Sequence, residues 1–222
     1  MPLFWRGFRA VLPLWSGMVP FGLAYAVTAR AAGLGLFDTQ LMSVLVFSGS
    51  AQFSAAGLFM TGAVGLGIVL TTFIINVRHV LYSLSLGQQM QLSTAQKVLG
   101  AHLLTDEAFG VTLASGQLSF PFLLGAELSV FVSWNLSTLV GSLLSEAVPD
   151  PVALGIDFVF PVAFLALLIP LLKRRSELIV ALTSGGAALG LMTYVGSSVS
   201  VLLVGVLGSL LGAWLTRDEK AL

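Results

Sequence analysis

The sequence has no cysteine and very little charge. Among its 222 residues there are two histidines, and only 9% of the residues are Asp, Glu, Lys or Arg. The absence of cysteine excludes disulfides, thiolate metal sites and cysteine nucleophiles. Two histidines are too few for a His-rich metal site. The formal net charge is zero and no basic stretch carries interleaved aromatic residues, which argues against a nucleic-acid partner.

Hydrophobic residues, in contrast, make up 57% of the chain. A soluble globular domain carries about 25% charged residues, so this composition predicts an all-α, polytopic integral membrane protein with short loops. A spanning helix needs about 20 mostly apolar residues. The candidate stretches are Ala10–Ala31, Thr39–Gly62, Leu66–Leu86, Leu99–Ser115, Leu123–Ser145, Val152–Leu172, Ser176–Thr193 and Ser200–Thr216.

The least certain of these stretches is Leu99–Ser115, which is short and polar. The positive-inside rule places Arg6, Arg9 and the basic cluster at 173–175 in the cytoplasm, which requires an even number of crossings between them. Six crossings result if Leu99–Ser115 spans the membrane. We therefore expect seven to eight transmembrane helices in a single domain, residues 1–222, with a cytoplasmic N-terminus. A re-entrant hairpin or a pair of half-helices is the alternative for Leu99–Ser115.

A weak internal similarity relates FSGSAQF, Phe47–Phe53, to FVFPVAF, Phe158–Phe164. Transporters built from duplicated halves show this kind of similarity. The repeats would be parallel if Leu99–Ser115 crosses the membrane and inverted if it is re-entrant, and both arrangements stay open.

Polar residues interrupt the apolar stretch TTFIINVRHVLYSL, residues 71–84. Taken as one continuous helix, it places Asn76 and His79 on one face and Arg78 with Tyr82 on another. A side chain that snorkels to the interface would explain Arg78 alone. It would not explain Asn76 and His79, whose side chains are short. We therefore expect the Asn76–His79 face to border a polar cavity or another helix.

The stretch LLTDEAFG, Leu103–Gly110, contains two adjacent carboxylates inside an apolar region. A buried charge of this kind costs about 2.5–3.5 kcal/mol at the bilayer centre and needs a partner or a cavity. We predict that Arg78 pairs with Asp106 or Glu107. The alternative is a helix cap, with Thr105 or Asp106 at the start of a helix.

Two further stretches carry polar groups. In VFSGSAQFSAAG, residues 46–57, Ser48 and Gln52 flank Gly49, and glycine and serine favour an unwound turn that exposes backbone groups. Tight packing with hydrogen bonds between helices is the alternative.

Asp157 precedes Pro161 by one turn, which predicts a kinked, water-accessible site. Glu127 lies near the end of its stretch and is not expected to be functional.

Five stretches of this chain, in the same order, resemble the azaleucine-resistance (AzlC-type) family: SGSAQF (48–53), NVRHVLYSLSL (76–86), LLTDEAFG (103–110), SWNLSTLVGS (133–142) and GIDFVFPVAFLALL (155–168). The resemblance implies an exporter of leucine, isoleucine, valine and their analogues in a bacterial inner membrane. It also implies a small, separate AzlD-type membrane subunit as partner, besides the lipid bilayer.

A zwitterionic, apolar amino acid needs a donor for its carboxylate, an acceptor for its ammonium and an apolar pocket. No Walker A sequence is present, so we expect a secondary active transporter without cofactor or enzymatic activity, and proton coupling is a hypothesis. The alternatives are a transporter or channel for another small solute, or an intramembrane hydrolase using Ser83, His79 and Asp106. The residues predicted to bind substrate or line the transport path are Ser48, Gln52, Asn76, Arg78, His79, Asp106, Glu107 and Asp157.

Overall fold

The computed structural model describes residues 1–63, 65–145, 165, 168–169, 172–195 and 197–217. The described residues form helices and the turns between them, with no strand. The chain divides into two compact units, Met1–Phe160 and Pro161–Leu222. The predicted all-α membrane fold is confirmed.

The first unit contains nine described α-helices and one 3₁₀ turn, Leu12–Leu14. The α-helices are α1 (Leu3–Val11), α2 (Trp15–Ala31), α3 (Leu36–Leu45), α4 (Gly49–Met60), α5 (Gly65–Asn76), α6 (Arg78–Gln89), α7 (Thr94–Leu103), α8 (Asp106–Ser115) and α9 (Phe120–Ser145). In the second unit, α10 (Arg175–Val195) and α11 (Ser197–Leu215) pack against each other. Gly212 of α11 faces Val180 of α10 there.

Four helical stretches in the described part of the chain are long and apolar enough to cross a membrane: Leu3–Ala31, Gly65–Gln89, Phe120–Ser145 and Arg175–Tyr194. The 26 residues of α9 rise about 39 Å, more than the roughly 30 Å of a bilayer core. Each of the four overlaps a stretch expected from hydropathy. The predicted stretch Val152–Leu172 lies almost entirely outside the described residues, as does the second repeat motif.

Two of the predicted stretches consist of half-length helices. The first is split into α3 and α4 at residues 46–48, where Phe47 has a φ of +41°. The second is split into α7 and α8 at residues 104–105. A helix of 10 residues rises only about 15 Å, half of a bilayer core. The unwound turn before Gly49 is therefore confirmed, and so is the half-helix alternative for Leu99–Ser115.

The expected continuous helix through residues 71–84 is interrupted at Val77, between α5 and α6. The Val77 N–H donates to the Ile74 carbonyl at 3.2 Å, and the Val80 N–H donates to the Val77 carbonyl at 3.0 Å. Both bonds span three residues instead of four, so the backbone is tighter here than an α-helix. The helix is therefore interrupted by one tight turn, while the shared face of Asn76 and His79 stays a prediction.

Helix α9 is the centre of the first unit, and α1, α2, α3, α7 and α8 pack against it. The closest approach is between α1 and α9, where Gly7 faces the Phe122 carbonyl and Gly125 faces the Phe4 carbonyl. A side chain at either glycine would collide with backbone atoms of the other helix. Small residues permit such close packing of membrane helices.

Candidate functional site

Three half-length helices begin at one place in the first unit. Ser50 is the second residue of α4, Arg78 is the first residue of α6, and Asp106 is the first residue of α8. Arg78 joins the three, because its Nη2 donates to Ser50 Oγ at 2.8 Å and its Nη1 lies 2.7 Å from Asp106 Oδ2. The N-terminus of a helix has unpaired N–H groups and a partial positive charge. The N-termini of α4 and α8 therefore lie beside one guanidinium and one carboxylate, while α6 continues from α5 through the helical residue Val77.

Local sequence explains where these helices begin. Ser48 is extended (φ −144°, ψ 106°) and Gly49 starts α4. Thr105 caps α8 by accepting a hydrogen bond from the Ala108 N–H at 3.3 Å, which confirms the cap predicted at Thr105 or Asp106. With Thr105 as the cap, Asp106 stands in the first turn of α8, where the helix dipole favours a negative charge.

The predicted pairing of Arg78 with Asp106 or Glu107 is confirmed for Asp106. The two side chains are 38% and 41% exposed, so part of the pair is open to the outside, although Arg78 Nε and Asp106 Oδ1 are buried. His79 Nε2 lies 3.8 Å from Asp106 Oδ1. Arg78 and His79 thus face the same carboxylate, and the prediction that they lie on separate sides is wrong.

Several polar atoms of the site are buried and have no hydrogen-bond partner among the described residues: Arg78 Nε, Asp106 Oδ1, Asn76 Oδ1 and Ser48 Oγ. Buried polar atoms are nearly always hydrogen-bonded, and an unmet one costs about 1–3 kcal/mol. Arg78 Nε and Asp106 Oδ1 are therefore an enclosed donor and acceptor without a hydrogen bond in the described structure, and His79 Nε2 lies 3.8 Å from Oδ1.

An apolar surface adjoins the charged pair. Tyr82 stacks on Phe109 with ring centroids 4.5 Å apart, and the His79 ring meets Tyr82 edge-on at 5.7 Å. Both Tyr82 and Phe109 pack against an apolar cluster formed by Leu86, Met90, Leu104 and Leu123. The site thus combines charged groups with an aromatic and aliphatic wall.

Gln52 belongs to a separate, fully buried network that ties α4 to α3 and α9. Its Nε2 donates to Ser43 Oγ at 2.9 Å, and its Oε1 accepts from Trp134 Nε1 at 2.9 Å. Ser43 Oγ also lies 2.9 Å from Thr138 Oγ1. Both ends of the amide are used within the protein, so the packing alternative is confirmed for Gln52.

Replacing Gln52 with alanine is expected to destabilise the fold. The change leaves the indole N–H of Trp134 and the Ser43 hydroxyl short of a partner, at a cost of about 1–3 kcal/mol. For a chain of this size that lowers the midpoint of thermal unfolding by roughly 3–8 °C. The matched control is Gln89→Ala, since Gln89 is exposed and bonds only to Ser85 of its own helix. Equal midpoints for the two purified variants would contradict a structural role of Gln52.

Two residues of interest were not expected from the sequence. Ser50, the partner of Arg78, lies within the SGSAQF motif, but its neighbours Ser48 and Gln52 were selected instead. Glu127 is 0% exposed and neither carboxylate oxygen has a described hydrogen-bond partner. Hydropathy placed Glu127 near the end of a helix, whereas α9 begins earlier, at Phe120. Only the packing of other helices reveals that this carboxyl group is enclosed.

The remaining predicted residues have different outcomes. Glu107 is half-buried in the first turn of α8 and forms no ion pair among the described residues. Asp157 lies outside the described part of the chain. In the described segments, Ser83 makes no hydrogen bond to His79, so the hydrolase arrangement is not formed there. The same segments contain no group of three or more His, Cys, Asp or Glu residues that could hold a metal ion.

Interrupted membrane helices that meet at a charged site are typical of secondary transporters, and the fold and site define this chain as a membrane transport protein. It belongs to the AzlC family, because the model of the AzlC protein family matches residues 13–148.

Relatives are found in bacteria and archaea. The chain is 29% identical to an uncharacterised membrane protein of Archaeoglobus fulgidus, with 96% of this chain and 95% of that one covered. It is 27% identical to the inner membrane protein YgaZ of Escherichia coli, covering 86% and 82%. It is 23% identical to the branched-chain amino acid transport protein AzlC of Bacillus subtilis, covering 93% and 85%. No solved structure matches the chain.

Proposed function

We propose that this protein is a secondary active exporter of branched-chain amino acids in a bacterial inner membrane. It works with a small AzlD-type membrane subunit, and its N-terminus is cytoplasmic. Membership of the AzlC family and the name of the Bacillus subtilis relative support transport of this substrate class. The basic residues Arg6 and Arg9 support the orientation.

The observation that carries the proposal is the unused donor and acceptor of the Arg78–Asp106 pair. A free amino acid has one carboxylate and one ammonium on the same carbon atom. Arg78 Nε can donate to the carboxylate while Asp106 Oδ1 accepts from the ammonium, and hydrogen bonds with charged partners are the stronger ones. The N-termini of α4 and α8 add favourable charge for the carboxylate. Glu107 and His79 lie in the same polar region.

The apolar wall accounts for the side-chain preference. Tyr82 and Phe109 present ring surface next to Arg78 and Asp106, with Leu86 and Leu104 behind them. An aliphatic side chain gains free energy by leaving water for such a surface. A hydrophobic pocket distinguishes substrates that differ by one methylene by only about 1–3 kcal/mol. Leucine, isoleucine and valine are therefore expected to be carried by one site.

Counterflow in liposomes tests the proposal. Vesicles that hold the chain and its small subunit are loaded with unlabelled leucine and diluted into labelled leucine. We expect transient accumulation of label that valine and isoleucine abolish. Leucine methyl ester lacks the carboxylate and 4-methylpentanoate lacks the ammonium, so neither should compete.

Two outcomes would contradict the proposal. Competition by either of those two analogues would show that the substrate is not recognised by both of its charges. Absence of counterflow would exclude an exchanger of these amino acids. A third arm, with vesicles that hold the chain without its small subunit, tests the partner, since full activity there would contradict the two-subunit arrangement.

A further inference from the structure

Glu127 is a carboxylic acid enclosed between helices of the first unit. The side chain is 0% exposed, and Oε1 and Oε2 have no hydrogen-bond partner among the described residues. An isolated ionised carboxylate in an apolar medium is far more costly than a neutral carboxylic acid, and proteins avoid that cost by pairing or neutralising the group. Glu127 has no such pairing in this packing.

The backbone of α7 covers the carboxyl group. A Cβ atom built on Gly100 would lie 3.7 Å from Glu127 Oε1, 4.0 Å from Oε2 and 3.8 Å from the ring of Phe120. Gly100 has no side chain that could donate a hydrogen bond. Leu123, one turn before Glu127 on α9, and Leu104, just after the end of α7, belong to the apolar cluster. The carboxyl group of Glu127 therefore lies against Gly100 of α7 and has no hydrogen-bond donor from the described residues.

Charged side chains do not compensate Glu127. The helices that pack against α9 are α1, α2, α3, α7 and α8. In the described structure none of their titratable side chains forms an ion pair or a hydrogen bond with Glu127, and on α1 and α7 these side chains are exposed to the outside. The side chains concerned are Arg6, Arg9, Tyr25, Arg30, Asp38, Lys97, His102, Asp106 and Glu107.

Helix α7 connects Glu127 with the charged site. It covers Glu127 through Gly100, ends at Leu103, and leads through the break at 104–105 directly to Asp106. A movement of α7 away from α9 would bring water to Glu127 and would at the same time displace Asp106 relative to Arg78. In transporters with interrupted helices, one group of helices rocks against another around the site that the half-helices form.

We propose that Glu127 binds the proton that drives transport. In the conformation described here its carboxyl group is protonated. When α7 separates from α9, the O–H bond breaks and the proton passes to water on one side of the membrane. In the alternate conformation the carboxylate takes up a proton from water on the opposite side, so each transport cycle moves one proton across. This inference rests on the proposed transport function and identifies the coupling ion and the residue that carries it.

Infrared spectroscopy tests the protonation directly and needs no substrate. The spectrum of the purified wild-type protein at neutral pH is compared with that of Glu127→Gln. We expect the carbonyl stretch of a protonated carboxylic acid in the wild type and its loss in the variant. A difference spectrum with a carboxylate band instead would overturn the proposal. The matched control is Glu177→Gln, because Glu177 is partly exposed in the described structure and its carboxylate accepts from the Lys173 and Arg174 N–H groups at the start of α10.

Transport measurements test the coupling. In vesicles with an imposed pH gradient we expect the wild type and Glu177→Gln to accumulate leucine. Glu127→Gln should lose this accumulation but keep leucine counterflow, which needs no net proton movement. Accumulation by Glu127→Gln equal to that of the wild type would overturn the proposal.

The two proposals fail in different ways. If the wild type shows no leucine counterflow, the substrate assignment fails, while the infrared comparison still decides whether Glu127 holds a proton. If Glu127→Gln also loses counterflow, a second variant is needed. Glu127→Asp retains a carboxylic acid and therefore tests whether this group couples transport to the pH gradient. A response of Glu127→Asp to the gradient supports the proposal, and counterflow by Glu127→Asp without that response overturns it.

Discussion

Replacing Arg78 with glutamine is expected to lower leucine counterflow by roughly 10- to 100-fold, because a hydrogen bond with a charged partner contributes about 1.5–3 kcal/mol. The guanidinium holds Ser50 and Asp106 with two nitrogens and has a third N–H available for a substrate carboxylate. Glutamine is neutral, so it cannot form any of these contacts as a charged hydrogen bond. The measurement is the initial rate of counterflow at a leucine concentration below saturation.

The variant Arg78→Lys distinguishes the effect of the positive charge from the effect of the planar guanidinium geometry. Lysine keeps the positive charge, but its single ammonium cannot reproduce the planar arrangement that bonds Ser50, Asp106 and a ligand together. We therefore expect an intermediate rate. The double variant Arg78→Gln/Asp106→Asn should lose less than the sum of the two single losses, since residues in direct contact are not independent.

The Arg78 variants should remain folded. A partly exposed ion pair contributes only about 0–1 kcal/mol to stability, so thermal unfolding should change little while transport falls. Arg217→Gln is the matched control, because Arg217 is exposed at the end of α11 and should leave counterflow unchanged. Wild-type counterflow in Arg78→Gln would show that the Arg78–Asp106 pair is structural and that the substrate binds elsewhere.

The second large effect is expected from Gly125→Ala, which should destabilise the contact between α1 and α9. The added Cβ would lie 2.8 Å from the carbonyl carbon of Phe4 and 3.0 Å from the backbone nitrogen of Phe8. These are backbone atoms and cannot rotate away, so α1 must shift, at a cost of about 1–3 kcal/mol or more. We expect the midpoint of thermal unfolding to fall by about 5 °C or more.

The control for this prediction is Gly57→Ala in α4. No atom lies within 4 Å of a Cβ built on Gly57, and alanine is favoured over glycine inside a helix by up to about 1 kcal/mol. The same substitution should thus be neutral or stabilising there. Tryptophan fluorescence can report both unfolding transitions, since the chain contains four tryptophans. If both variants unfold at the wild-type temperature, α1 does not pack against α9 as described.

Most of the helical stretches were predictable from hydropathy, because the signal is a local sum over about 20 neighbouring residues. The breaks within them were predictable where the local residues favour them, as Ser48 and Gly49 do before α4, and Thr105 as the cap of α8. The turn at Val77 was not predictable. It lies within an Asn-Val-Arg-His sequence that follows apolar residues and contains no glycine or proline, so no local signal marks it.

The candidate site was predictable in part. An isolated charge in a membrane needs a partner, so Arg78 was expected to pair with Asp106 or Glu107. In the structure its partner is Asp106. The same argument did not identify Ser50 as a partner of Arg78, because its hydroxyl group is one of many in the chain. It also missed Glu127, since the cost of a carboxylate depends on what covers it, and Gly100 covers it from a helix 27 residues earlier in the sequence.

The sequence by itself determined that this protein is helical, lies in a membrane and resembles the AzlC family, because composition and short ordered motifs are properties of the chain alone. Only the tertiary structure decided that α4, α6 and α8 begin around Arg78 and that Glu127 is enclosed by α7. Both facts depend on contacts between helices distant in sequence. Hydropathy and helix propensity are sums over neighbouring residues, so they carry no information about the distances between the ends of these helices.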